Sequence, residues 1–217
     1  MSAILDQVKL YMSQALEGKA ELSEELVNEF GELCKQLIKR HFEPQKNEFS
    51  IRMSSVGRPL CQQQLEMAGA PRKAASYEFM MQMLIGDMVE AAAYIIMRGA
   101  GVQVMDYQKP VSLNIGGIKL NGTIDLKIRN SGVFDIKSAS PYSFDNKFNS
   151  YKGFAAINED DPFGYIPQAY LYAQAEGDKF GGWIVINKST GEWAVLEPPL
   201  VDNAYRRKAL EKTEENI

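Results

Sequence analysis

Asp135 and Lys137, in the stretch GVFDIKS, stand two residues apart in what reads as a strand. Residues i and i+2 of a strand share a face, so the carboxylate and the amine lie side by side while Ile136 is free to enter the core. Asp125, in NGTIDLKI, belongs to the preceding strand, expected to be adjacent because the connection 130–132 is short. Two neighbouring carboxylates raise each other's pKa unless a cation neutralises them. A hard divalent ion such as magnesium or manganese suits such an oxygen set, to which the Ile136 carbonyl could add a ligand. A lysine beside a purely structural ion is out of place, but beside an anionic substrate it is not. A metal lowers the pKa of a bound water, and an ammonium can orient that water and stabilise a phosphoryl transition state. The stretch therefore reads as a metal-dependent phosphodiester hydrolase site. Taken singly, the same residues have plainer readings: a solvated strand edge for Asp-x-Lys, and turn chemistry for an Asp after Gly-Thr.

Two further pieces lie on helices. Ser76 to Met97 (SYEFMMQMLIGDMVEAAAYIIM) is apolar nearly all round and reads as a buried helix, in which Glu90 follows Gly86 by four residues. An acid there is costly to bury unless paired or metal-bound, the alternative being a narrow solvent stripe shared with Asp87. In QAYLY, Gln168 and Tyr172 stand at i and i+4 and share a helix face. The plainer reading of that pair is an amphipathic helix with Tyr172 in the core and Gln168 outside.

The elements that must position these groups follow from periodicity. Residues 3–18 and 22–42 read as amphipathic helices, the second with Ser23 as N-cap. HFEPQKNEFS breaks the pattern, and SSVGRPLCQQQLEMAGAPRK reads as a short serine-capped helix ending near Gly69 and Pro71. Residues 102–137 switch to strands: VQVMDYQ, PVSLNI, IKLNGTIDLKI and GVFDIKS. Residues 141–160 read as a loop. A helix from about Pro167 to Glu176, a hairpin turning at Lys188–Gly191 and a polar closing helix complete the chain. The expectation is an α/β (α+β) domain with a mixed central β-sheet flanked by helices, residues 51–217, preceded by a helical extension, 1–50.

Bulk properties narrow the classes. The chain has 217 residues, 45% hydrophobic and 24% charged, with net charge -4, which gives no global electrostatic argument for a nucleic-acid partner but allows local basic patches. The early acidic residues argue against a signal peptide and no apolar run of about 18 residues argues for a membrane span, so a cytoplasmic location is expected. Cys34 and Cys61 cannot build a four-cysteine zinc site or iron–sulfur cluster. His41, the lone histidine, closes a basic helix end and reads as structural. Lys147 and Lys152, interleaved with Tyr142, Phe144, Phe148 and Tyr151, have the composition of a single-strand stacking surface or of a partly packed loop.

Gly-x-x-x-Glu (Gly86–Glu90), Gly-x-x-Asp (Gly122–Asp125), Asp-Ile-Lys-Ser (Asp135–Ser138) and Gln-x-x-x-Tyr (Gln168–Tyr172), in this order, resemble the PD-(D/E)XK nuclease superfamily. Within it the chain is most similar to the RecB-like and phage lambda-exonuclease-like branch, over about residues 54–193. The resemblance implies a restriction-endonuclease-like core and a metal-dependent DNA exonuclease, acting at ends in phage-type recombination or DNA processing. An endonuclease of the same fold, or a non-cleaving nucleic-acid-binding protein, are the alternatives. It implies one or two Mg or Mn ions on Glu90, Asp125 and Asp135, with Lys137 as the catalytic lysine. Gln168 and Tyr172 would hold the DNA strand or position the lysine. Arg58, helped by Ser55, would contact a terminal phosphate, unless these two only cap and solvate a helix. Implied partners are linear DNA, double- or single-stranded, further copies of the chain, and a single-strand annealing protein, in a bacterial host cytoplasm if phage-encoded. Two departures stand out: Glu90 replaces the histidine of many RecB-like relatives, and Ile124–Asp125 replaces the literal Pro-Asp.

Overall fold

The mixed sheet forms around the strands of the opening motif. In the computed structural model, which describes residues 2–43, 51–57, 59–70 and 75–215, five strands lie in the order β1-β2-β3-β4-β5. They are β1 (Val104–Ile115), β2 (Ile118–Ile128), β3 (Gly132–Ala139), β4 (Phe180–Asn187) and β5 (Trp193–Leu196). The β1–β2, β2–β3 and β4–β5 pairs are antiparallel and β3–β4 is parallel. The parallel step needs a crossover, which the chain makes through helices α5 (Pro141–Ser143), α6 (Phe154–Glu159) and α7 (Tyr165–Glu176). The fold is thus α+β, with a mixed sheet flanked by helices.

One face of the sheet is covered by α1 (Ala3–Leu16), α2 (Glu24–Phe42) and α4 (Tyr77–Gly99). Ile4, Val8, Leu26, Tyr94 and Met97 pack there with Leu126, Phe134, Ile136 and Ile184, so the first two helices share the core of the sheet. The other face receives α7 and the closing helix α8 (Asn203–Glu215), through Tyr170, Ala173, Trp183, Val185 and Ala209. Ser23 and Ser76 each accept a backbone N–H three residues on and start α2 and α4. Helix α4 has the length and apolar composition of a membrane span, but Ala91, Ala93, Ile95 and Met97 in its C-terminal half are buried within the protein.

Several local expectations are corrected. VQVMDYQ and PVSLNI form one strand, β1; Pro110 is tolerated because β1 is a sheet edge. Residues 141–160 are helical turns rather than a loop. Their apolar spacing buries Phe144, Phe148, Phe154 and Ile157, while Lys147 pairs with Asp160 and Lys152 with Glu159. Only Tyr142 and Tyr151 of the supposed stacking surface remain exposed aromatics. Helix α3 (Leu60–Met67) follows Pro59 and has no serine cap. Ser55 belongs instead to a 3-10 turn, Met53–Ser55, where its hydroxyl donates to the Arg52 carbonyl. Cys34 and Cys61 are free thiols.

Candidate active site

The site lies where β2 and β3 part. Their ladder holds only three registered pairs, from Ile128–Gly132 to Leu126–Phe134. One further step would set Asp125 opposite Asp135, and like charges facing each other across strands oppose pairing. The ladder stops there, and the Ile136 N–H donates to the Asp125 carboxylate (2.8 Å). The freed edge of β2 is met by the segment 51–57, through a bridge between Arg52 and Asn121.

Two motif glycines have a steric reason. A Cβ on Gly122 would lie 2.4 Å from the Tyr172 ring, and one on Gly86 would lie 3.3 Å from the Ser138 hydroxyl. Gly122 thus lets α7 close on β2 next to Asp125, and Gly86 lets α4 approach β3 so that Glu90, one turn on, comes within electrostatic reach of Asp135. The approach of Gly57 to Gly164, where either Cβ would meet backbone at 2.2–2.3 Å, seats the 51–57 segment on the start of α7.

Asp135 and Lys137 share a face as strand periodicity requires. The Lys137 ammonium donates to Asp135 Oδ1 (2.7 Å) and lies 2.6 Å from Oδ2, which is buried and makes no hydrogen bond of good geometry. Burial works against the charged lysine, but Asp135 and Asp125 outweigh it and hold the ammonium above its ordinary range. Burial, then repulsion by Asp135 and Glu90, pushes the Asp125 carboxyl well up. Burial, then Asp135 and Asp87, pushes Glu90 up to about 7. Three carboxyl groups thus share one ammonium.

Among the described residues, no three acidic, histidine or cysteine side chains converge into a metal-ligand cluster. Glu90, Asp125 and Asp135 influence one another's charge but do not close a cage. Gln108 stands between two of them. Its amide donates to Glu90 and, at 3.4 Å, to Asp125. Gln108 has φ +49, a left-handed backbone in mid-strand, and the registered pairs of β1 and β2 skip from Tyr107–Leu126 to Lys109–Ile124, leaving Gln108 and Asp125 without one. Such strain clusters at functional sites. Nothing in the sequence around Gln108 marks it; only the approach of β1 to α4 does.

The donor chemistry fits a divalent cation nonetheless. All the charged acceptors are carboxylate oxygens, one of them a buried oxygen with the Lys137 ammonium beside it, and two carboxyls are raised by burial and then by like charges that a cation would offset.

The other expected residues are dispersed in role. Tyr172 is buried against Gly122, its hydroxyl within 3.4 Å of the Gln168 amide donor, and burial pushes its phenol up to about 12. Its ring packs the site rather than offering an exposed surface. Ser55 is occupied within its turn, and Arg58 lies outside the described residues. His41 Nε2 lies 2.7 Å from Asp87, which also takes Arg40, so Asp87 ties α2 to α4. Tyr165, unmarked in the sequence, places its ring centroid 5.4 Å from the Lys137 ammonium. It is held there by Asp161, whose carboxylate accepts the N–H groups of Tyr165 and Ile166 at 2.7 and 2.9 Å.

No family model and no curated protein sequence matches the chain. Among solved structures, SSO0001 is 20% identical, with TM-score 0.47, covering 86% of this chain and 85% of its own. A structure from Eubacterium rectale described as a "Putative exonuclease" is 14% identical, with TM-score 0.40, covering 94% and 69% respectively. At TM-scores below 0.5 neither likeness bears on the activity of this chain.

Proposed function

We propose that this protein is a metal-dependent deoxyribonuclease of the PD-(D/E)XK type, acting on DNA ends. The observation that supports this reading is the meeting of Asp125, Asp135 and Lys137 at the parting of β2 and β3, with Glu90 delivered by α4. Glu90, Asp125, Asp135 and the Ile136 carbonyl would hold magnesium or manganese, which when bound supplies an acidified water as nucleophile. Lys137 stays charged in its carboxylate surroundings and offsets the charge that builds on the phosphate. Tyr165 and Asp135 fix where that ammonium sits. The Ile136 N–H orients Asp125, leaving the carboxylate with free lone pairs. Gln108 keeps Glu90 and Asp125 together.

Linear duplex labelled at either end, and the same DNA as a closed circle, are incubated with magnesium or manganese beside an Asp125→Asn control. Loss of linear DNA alone, abolished in the control, is expected, and the label released first gives polarity. Cutting of the circle would replace the end-directed reading with an endonuclease. No cutting of either substrate with either ion overturns the proposal.

A further inference from the structure

Strands β1 and β2 both change face at the same level of the sheet. Residues i and i+2 of a strand ordinarily share a face. Tyr107 nevertheless stacks on Tyr94 of α4, with ring centroids 3.9 Å apart, while Lys109 donates to Glu176 of α7, on the opposite face, at 2.7 Å. In β2, Leu126 packs with Tyr94 and Met97 of α4, while Ile124 packs with Leu171 and Tyr172 of α7. Gln108 and Asp125 lie at the reversal, one in each strand, where the register lapses. Gln108 meets it with a left-handed backbone, φ +49, a conformation that glycine takes without steric cost and glutamine does not. What glutamine supplies there, and glycine cannot, is a side-chain amide.

That amide sits on two of the carboxyl groups assigned to the cation. It donates to Glu90 and, at 3.4 Å, to Asp125. It is not what delivers them: Asp125 accepts the Ile136 N–H at 2.8 Å, and Glu90 is carried by α4, whose approach to β3 Gly86 allows. An amide N–H is a neutral donor, so it occupies carboxylate oxygens without offsetting their charge. A divalent cation binds through the same oxygens and does offset it, so the two compete. Gln108 and Glu90 also line a cavity of about 470 Å3 between α2, α4 and β1. The amide therefore has room to swing aside while Tyr107 and Lys109 pin the backbone on either side of it.

We propose that Gln108 is a latch on the cation site: its amide bridges Glu90 and Asp125 in the metal-free protein and must give way for a divalent cation to bind there. Gln108 thereby sets how much magnesium or manganese the protein requires. The proposal rests on the metal-dependent reading of the site and adds to it a residue that regulates occupancy.

The test reads cation binding without DNA. Full-length protein, stripped with EDTA and dialysed, is titrated calorimetrically with manganese chloride. Asp125→Asn identifies the heat that belongs to this site. Gln108→Met keeps the length of the side chain and removes the donor. Gln108→Gly also removes it and suits the left-handed backbone, so at least one variant is expected to match the circular dichroism of the wild type. Each folded variant should bind manganese about tenfold more tightly, the scale of one hydrogen bond to a charged group that no longer has to be broken. In protein labelled with 15N-glutamine, the side-chain amide signal missing from Gln108→Met belongs to Gln108, and it should move when magnesium is added to the wild type. Manganese affinity equal to or weaker than wild type in the folded variants, or a Gln108 amide signal unmoved at saturating magnesium, overturns the latch and leaves the nuclease reading standing. No binding of either cation by wild type or variants overturns the metal-dependent reading and the latch together.

Discussion

Glu90 provides a measurable charge on the site's electrostatics before any substrate is added. Its carboxyl moves from an ordinary 4.5 to about 7, first through burial and then through Asp135 and Asp87. A carboxyl raised on folding is protonated in the native state while the unfolded chain has already ionised. Between pH 4.5 and 7 the native state therefore binds more protons, and stability falls as pH rises, levelling off above about 7. The full shift corresponds to about 3 kcal/mol. Glu90 keeps part of its surface open to the cavity, so solvent screening brings the expected loss nearer about 2 kcal/mol. Urea unfolding in EDTA at pH 4.5 and pH 8, for wild type and Glu90→Gln, isolates this share as the difference between their pH dependences. Glu90→Gln should lose about 2 kcal/mol less than wild type across the interval. Gln108→Ala removes a hydrogen bond that favours the ionised carboxylate, so its decline with pH should be steeper than wild type. Identical pH dependences in wild type and Glu90→Gln would refute the crowded-carboxylate account of the site.

Two further outcomes follow from contacts around the carboxylates. Lys137→Ala strands Asp135, only 4% exposed, without its cation, and should cost about 3–5 kcal/mol in urea unfolding, largely recovered in a Lys137→Ala/Asp135→Asn double variant; a fully stable single variant would mean that the pair is solvated. Gly122→Ala places a methyl 2.4 Å from the Tyr172 ring and should lower stability by about 1–3 kcal/mol, and by less in a Tyr172→Leu background; additive losses in thermal melts would show that the ring is not what Gly122 admits.

Much of this architecture is legible from local signals. Ser23 announces α2, the apolar run from Ser76 marks α4, Gly177 stops α7, and the turn before β5 lies between Lys188 and Gly191. The helical turns of 141–160 were obscured because Asn, Ser and aromatic residues suggest a loop; burial of Phe144 and Phe148 outweighs that local preference. The pairing of Asp135 with Lys137 needs no tertiary information, since a strand repeats every two residues and puts both on one face.

What the chain's order alone determines is thus the long helices α2, α4 and α7 and the side-by-side carboxylate and amine of β3. Tertiary structure decides the rest. Gln108 enters the site because β1 approaches α4, and Tyr165 faces Lys137 because the crossover returns α7 to the start of the site. The recess lined by Leu33, Leu37, Tyr107 and Glu90 exists because α2, about ninety residues before β3, packs across α4 beside Glu90. Periodicity reports which face a side chain occupies; it carries no record of which distant element will come to meet it, and that meeting is where the carboxylates acquire their charge states and their neighbours.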